Sequence, residues 1–181
     1  MFDAKKIEEL SIVLRNFKAM DFSLSDLDGI TLKDLLQLSI SYQYKQVGWR
    51  AAWVLETVVL ANPSYLLAIQ DELIESLSVQ KDWSSLRSYS KILMELTNPK
   101  KSFSLSKEQE EIIIEDTFNW MIDIDCPLAV RCNCMDILYQ LSSEHEWIKD
   151  ELIEQINLFL KTPTPALASR GNKILKRILN S

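Results

Sequence analysis

Three cysteines lie in one stretch of the chain, and thiols are among the side chains that bind metals or act as nucleophiles. Cys132 and Cys134 are two residues apart in a segment with a helical pattern, which turns their side chains about 160° away from each other. Zinc sites typically take four nitrogen or sulfur ligands, and besides Cys126 the chain offers only one histidine. We therefore expect no metal site, and we expect Cys134 to behave as a small buried hydrophobe.

The single histidine and the many carboxylates form no recognisable catalytic arrangement. His145 stands in the tripeptide HEW, the first half of the zinc-protease motif HExxH, but the second histidine is absent. The carboxylates occur in runs, which are typical of solvated helix faces. The two main runs are Glu108, Glu110, Glu111, Glu115 and Asp116, and Asp150, Glu151 and Glu154. We expect no catalytic residue and no cofactor, and an enzyme of unknown chemistry is the third functional alternative.

Two tryptophans four residues apart, Trp49 and Trp53, lie with Arg50 in the stretch GWRAAWVLETVVLANP. Tryptophan and arginine are enriched among the residues that dominate protein interfaces, so these three side chains are candidates for a partner-binding patch. The alternative is that the helix is covered on both sides, for example by a helix predicted at 3–20, and that both tryptophans belong to the core. The pattern leaves both interpretations open.

A basic stripe near the C-terminus is the second candidate surface. It consists of Arg170, Lys173, Lys176 and Arg177, opposite the apolar Ile174, Leu175 and Ile178. Cations are favourable near the negative end of a helix, so the stripe fits a solubilising terminal helix. The alternative is an anion-binding site through which nucleic acid could bind.

The charge distribution disfavours nonspecific nucleic-acid binding. The total is −6 and the segment after Glu154 contributes +5, so residues 1–154 carry −11. Because nucleic-acid binding depends on neutralising phosphates, an acidic body of this kind opposes it.

The composition favours a helical protein of the cytoplasm. A chain of 181 residues suits one domain, and only 3 glycines and 5 prolines favour helices joined by short turns. The N-terminus carries acids within its apolar run, unlike a secretory signal, and Asn62-Pro63 interrupts the least charged stretch, so we expect no membrane span. An odd number of cysteines suggests no disulfide framework and a reducing compartment.

Apolar residues at helical spacing predict helices along the whole chain and no strand. The predicted helices lie at about 3–20, 31–41, 46–61, 63–78, 83–97, 107–123, 127–142, 146–161 and 165–180. Capping boxes are predicted at Thr31–Asp34, Ser106–Gln109 and Ser143–Glu146. Asn62 and Thr164 each precede a proline, which suits the first turn of a helix.

Four of these helices share one pattern. They are anchored on Val47, Leu86, Val130 and Leu167, which are 39, 44 and 37 residues apart. Four positions after each anchor stands a small residue, and apolar residues follow at seven and eight positions. The small residues are Ala51, Ser90, Cys134 and Gly171. Each helix is preceded by another amphipathic helix, so the unit is a helix pair of about 40 residues, which is typical of an α-solenoid.

The chain resembles the HEAT and armadillo repeat superfamily, most closely in the stretch DCPLAVRCNCMDIL. The resemblance implies an all-α, right-handed superhelix of about four helix pairs over residues 31–181. Residues 1–30 would form an N-terminal capping helix and a loop, and residues 1–181 one domain. It also implies that Arg87 and Arg131, which follow their anchors by one residue, pair with an aspartate in a structural role.

The resemblance implies a noncatalytic scaffold or adaptor that binds a protein partner along its curved face. A nucleic-acid-binding or DNA-base-processing protein of the same fold is the alternative. Small bacterial chains of this pattern sometimes carry an adenylosuccinate lyase label. That superfamily uses a serine-rich loop resembling GSSxMPxKxN, which this chain lacks, so we disfavour the lyase. No small-molecule ligand is indicated.

Overall fold

Every regular element in the computed structural model is helical within the residues that it describes, which are 4–18, 24–27, 29–41 and 45–180. The α-helices are α1 Ala4–Asn16, α2 Leu32–Ser39, α3 Lys45–Ala61, α4 Gln70–Glu75, α5 Trp83–Leu96, α6 Lys107–Ile122, α7 Leu128–Leu141, α8 Trp147–Phe159 and α9 Pro165–Leu179. The all-α prediction is confirmed, with four successive helix pairs after α1. The right-handedness of the superhelix stays a prediction.

The chain divides into two compact units, Met1–Ile92 and Leu93–Ser181. In the first unit α1 and α2 both pack on α3, and in the second unit α6, α8 and α9 all pack on α7. The division into one domain over 1–181 stays a prediction. None of the described helices is both long and apolar enough to cross a bilayer, and the cytoplasmic location also stays a prediction.

The helix face that was predicted to recur lies in the core of each unit. Its four small residues, Ala51, Ser90, Cys134 and Gly171, are all buried. A Cβ atom added at Gly171 would lie 2.9 Å from the Cγ2 atom of Ile156, so a larger residue would push α9 away from α8. The predicted burial of the small residue in each of the four helices is therefore confirmed.

Three predicted helix starts are also confirmed. Thr31 and Asp34 form a reciprocal capping box, in which the Thr31 N–H donates to Asp34 Oδ2 at 2.9 Å. Ser106 and Gln109 form the same arrangement at the start of α6. Thr164 Oγ1 accepts from the N–H three residues on, at the start of α9. Each cap satisfies amide groups that have no partner within the helix.

The cap predicted at Ser143 is wrong. Glu146 occupies the N-cap position of α8 and makes no side-chain cap hydrogen bond. Residues 142–144 form a turn that continues from the end of α7, and the Ser143 hydroxyl donates back to the Gln140 carbonyl. Serine side chains commonly bond backward in this way near a helix end, which competes with capping the next helix.

The single helix predicted at 63–78 is also wrong, because a 3₁₀ turn, Pro63–Ala68, precedes the short helix α4. The break lies at Ile69, whose φ is −134° and whose N–H donates to the Leu66 carbonyl three residues back. The side chains of Leu66 and Ile69 are both fully buried, and their spacing of three residues suits a 3₁₀ turn. Asn62 precedes this turn without a side-chain cap hydrogen bond.

Arg131 holds the end of α6 against α7 through the main chain and not through an aspartate carboxylate. Its Nε and Nη2 atoms donate to the carbonyl oxygens of Met121 and Asp123, at 3.0 and 2.5 Å. Its guanidinium carbon lies 5.0 Å from the ring centroid of Phe159. The expected aspartate pairing is therefore wrong for this residue, because the last carbonyls of α6 lack helical partners and accept its two donors.

Arg87 of α5 and Arg170 of α9 make different contacts from those of Arg131. Arg87, which occupies the equivalent position in α5, is exposed, and its guanidinium group makes no hydrogen bond or ion pair with any described residue. An arginine–aspartate pair does form between Arg170 of α9 and Asp136 of α7. The resemblance implies that Arg87 pairs with an aspartate, and no described aspartate pairs with it.

Candidate protein-binding groove

A groove of about 440 Å³ lies between α1 and α3 in the first unit. Its lining consists of Ser11, Leu14, Arg15, Gln46, Val47, Trp49 and Arg50. Helix α1 contacts α3 and buries Leu10 and Leu14, and Phe17 directly after the helix is also buried, so the three are spaced three to four residues apart. This amphipathic spacing leaves Ser11 and Arg15, four residues apart, to line the groove beside the core contact.

Trp49 is the most exposed of the three predicted partner-binding residues. The solvent reaches 42% of its surface, although the residue lies well inside α3. Gly48 and Ala51 are buried, so the core face of α3 lies on another side of the helix. Trp49 therefore presents a large aromatic surface to the groove.

Arg50 ties α1 to α3. The helix predicted at 3–20 ends at Asn16, and the final part of that prediction lies outside the described residues. The Nε atom of Arg50 donates to the Leu14 carbonyl at 2.9 Å, and Nη2 donates to the Phe17 carbonyl at 2.7 Å. These carbonyls at the end of α1 have no partner within the helix, so one side chain satisfies both.

Trp53 is half-buried and supports the same contact. Its ring meets that of Phe17 edge to face, with centroids 5.6 Å apart, and the guanidinium carbon of Arg50 lies 4.4 Å from its centroid. The two tryptophans of α3 thus have different surroundings, one against α1 and one at the groove. Partner binding by Trp49, Arg50 and Trp53 stays a prediction.

The charged residues among the described ones that line the groove are both cationic. Arg15 donates from Nε to the Ser11 carbonyl at 3.1 Å and from Nη2 to the Ser11 hydroxyl at 3.0 Å. These acceptors and those of Arg50 are uncharged, and neither guanidinium forms an ion pair within the described ranges. Sequence reasoning missed Arg15, for which the four-residue spacing from Ser11 on an amphipathic helix was the available signal.

The basic stripe of α9 is partly engaged within the second unit. Arg170 pairs with Asp136, and the guanidinium carbon of Arg177 lies 5.7 Å from the ring centroid of Tyr139. Lys173 and Lys176 are exposed. Anion binding by this stripe stays a prediction, and two of its four cations already have contacts on α7.

The three cysteines are buried and free. Burial raises the pKa of Cys126 to about 11, against a smaller opposing effect of the nearby Arg131. Burial also raises the pKa of Cys132, and it raises that of Cys134 well above the ordinary value. A thiolate is the form that attacks or ligates, so these protonated thiols suit a structural role. Within the described part of the chain, no group of three metal-binding side chains comes together.

The second unit carries another exposed aromatic residue, which the sequence analysis did not single out. Trp147 is 56% exposed and stacks on Phe118 of α6, with ring centroids 5.9 Å apart. Close by in the chain, His145 Nε2 lies 2.8 Å from Glu110 Oε2 and so links the start of α8 to α6. His145 therefore has a structural partner.

A family model described as a HEAT repeat domain matches residues 25–178. The chain belongs to the HEAT repeat family. HEAT repeats commonly mediate protein–protein interactions. Comparison with curated proteins and with solved structures finds no match for this chain.

In this HEAT repeat protein, the groove combines a helix inside the matched range with one before it. Helix α3 belongs to the repeats, whereas α1 precedes residue 25. The groove therefore depends on the contacts of Arg50 and Trp53, which hold α1 in place.

Proposed function

We propose that this HEAT repeat protein is a noncatalytic adaptor and that a protein partner binds in the α1–α3 groove on Trp49. The observation that carries the proposal is a tryptophan with 42% of its surface exposed beside a groove of about 440 Å³. Tryptophan is enriched among the residues that contribute most to binding, especially where the partner excludes water from it. A cleft of this volume can accept several partner side chains.

The two other predicted residues have a supporting part in this proposal. Arg50 and Trp53 contact the end of α1 and fix one wall of the groove. A wall that is already ordered lowers the entropic cost of binding. Trp49 is thus the residue expected to touch the partner, whereas Arg50 and Trp53 preserve the shape of its site.

Nucleic-acid binding through α9 has less support. Of the basic stripe, Arg170 is paired with Asp136, and the exposed Arg177 lies against the Tyr139 ring of α7, so Lys173 and Lys176 are its exposed cations without such a contact. Residues 1–154 also carry a charge of −11, which repels a polyanion.

The experiment is affinity purification with the full chain as bait, followed by measurement of the dissociation constant for the partner recovered. Trp49→Ala should weaken binding by about 30-fold or more, because loss of a central interface residue costs about 2 kcal/mol or more. Trp147→Ala is the matched control, since it removes a similarly exposed ring from the other unit. Equal binding by the two variants would contradict the proposal.

A further inference from the structure

We infer that the α1–α3 groove recognises an acidic partner segment in which a carboxylate lies next to an apolar side chain. The inference rests on the proposed function, because it assumes that a protein binds on Trp49. It goes further by assigning the chemistry of the segment. The charge of the lining and the apolar wall beside it carry the argument.

The described residues that line the groove include two arginines and no acidic residue. Arg15 and Arg50 are the charged residues among the described ones that line it, and neither forms an ion pair within the described ranges. Acids are not scarce, since the chain has 26 acidic and 20 basic residues. No described carboxylate offsets the charges of these two guanidinium groups, which favours an external anion, and arginine binds carboxylates in a planar, two-point geometry.

Both arginines keep donors for such a contact. Each uses the Nε hydrogen and one Nη2 hydrogen for its internal hydrogen bonds, which leaves both hydrogens of Nη1 and the second hydrogen of Nη2. The internal acceptors are carbonyl and hydroxyl oxygens, which do not neutralise the cations. A carboxylate between Arg15 and Arg50 would be the missing counter-charge.

The apolar residues of the groove are the reason to expect an apolar side chain next to the carboxylate of the partner segment. Val47 is half-buried and the Trp49 ring is exposed, so an apolar partner residue would gain contact with apolar surface, most of it on the tryptophan. An aromatic ring beside arginines also suits a nucleic-acid base and phosphate. A nucleic acid extends past one groove, however, along a part of the chain that carries −11, whereas a short acidic segment meets only the local cations.

The test selects random phage-displayed peptides on the full chain and removes those that also bind Trp49→Ala. The inference expects the remaining peptides to be enriched in Asp or Glu beside a large apolar residue. A synthetic peptide from this pool should lose at least about tenfold in affinity on Glu→Gln or Asp→Asn substitution, and its binding should weaken at high salt.

Charge reversal on the protein completes the test. Arg15 is the suitable position, because its hydrogen bonds stay within α1, whereas Arg50 holds α1 to α3. Arg15→Glu should weaken the peptide at least about tenfold while Arg15→Lys retains most of the affinity.

Each other outcome overturns the inference. Trp49-dependent peptides without acidic enrichment, or unaffected by Arg15→Glu, would refute the acidic segment and leave the proposed function standing. Recovery of no Trp49-dependent peptide would contradict both. Trp49-dependent binding of a fluorescent oligothymidine with no such peptide would show that the groove takes nucleic acid.

Discussion

Replacing Arg131 with alanine removes two hydrogen bonds and a ring contact at the end of α6. The side chain donates to the carbonyls of Met121 and Asp123, and its guanidinium carbon lies 5.0 Å from the centroid of Phe159. A hydrogen bond from a charged donor contributes about 1.5–3 kcal/mol, and leaving the carbonyl of the buried Met121 unsatisfied would cost about 1–3 kcal/mol. The carbonyl of the exposed Asp123 keeps a hydrogen bond from the Cys126 N–H. Because Arg131 is half-buried and water can replace part of the interaction, we expect a loss of about 2–4 kcal/mol.

Two further variants separate this contact from a general effect of losing an arginine. Arg87→Ala removes the same side chain from the equivalent position of α5, where it is exposed and has no such partner, so it should cost less than about 0.5 kcal/mol. Arg131→Lys should fall between the two, because an ammonium group lacks the planar fork that reaches two carbonyls.

Urea unfolding followed by circular dichroism measures these differences. With a slope of about 2 kcal/mol per M, Arg131→Ala should lower the urea midpoint by about 1–2 M. Equal midpoints for Arg131→Ala and Arg87→Ala would refute the reasoning, since it assigns the stability to the carbonyl and ring contacts that only Arg131 makes.

Three other substitutions test the packing and the thiols. Gly171→Leu should destabilise the fold by about 1–3 kcal/mol in urea unfolding, because even a Cβ there lies 2.9 Å from a buried methyl group, whereas the exposed neighbour Asn172→Leu should not. Trp53→Ala should cost about 2–3 kcal/mol through the lost contact with Phe17, and an unchanged midpoint would show that this ring does not hold α1. Stability should fall as the pH rises from about 9 toward 11, because burial raises the folded-state pKa of Cys126 to about 11, and Cys126→Ala should lessen the fall seen by urea titration at each pH.

Patterns among residues close in the sequence were sufficient to predict most of the helices. The small and apolar residues after Val130 recur at spacings that place them on one helix face, and that face is buried in α7. Thr31 and Ser106 cap their helices because the acceptor and the amide lie three residues apart in any helix. Both features depend on residues close in the chain.

The features that were missed depend on distant groups or on competing local bonds. Ser143 has two possible partners, and the turn after α7 favours the backward one. The different surroundings of Trp49 and Trp53 follow from where α1 ends, which the periodicity of α1 alone does not fix. Arg50 binds carbonyls 33 and 36 residues away in the chain, and main-chain acceptors leave no sequence pattern.

Photo-crosslinking from position 49 in living cells tests the central claim most directly. Trp49→p-benzoylphenylalanine places a reactive ketone in the groove on a ring of similar size, and the same substitution at Trp147 is the matched control on the other exposed ring. The proposal predicts one discrete protein adduct from position 49 that is absent from position 147. No adduct from position 49, or the same adducts from both positions, would contradict the claim that this groove is where a partner binds.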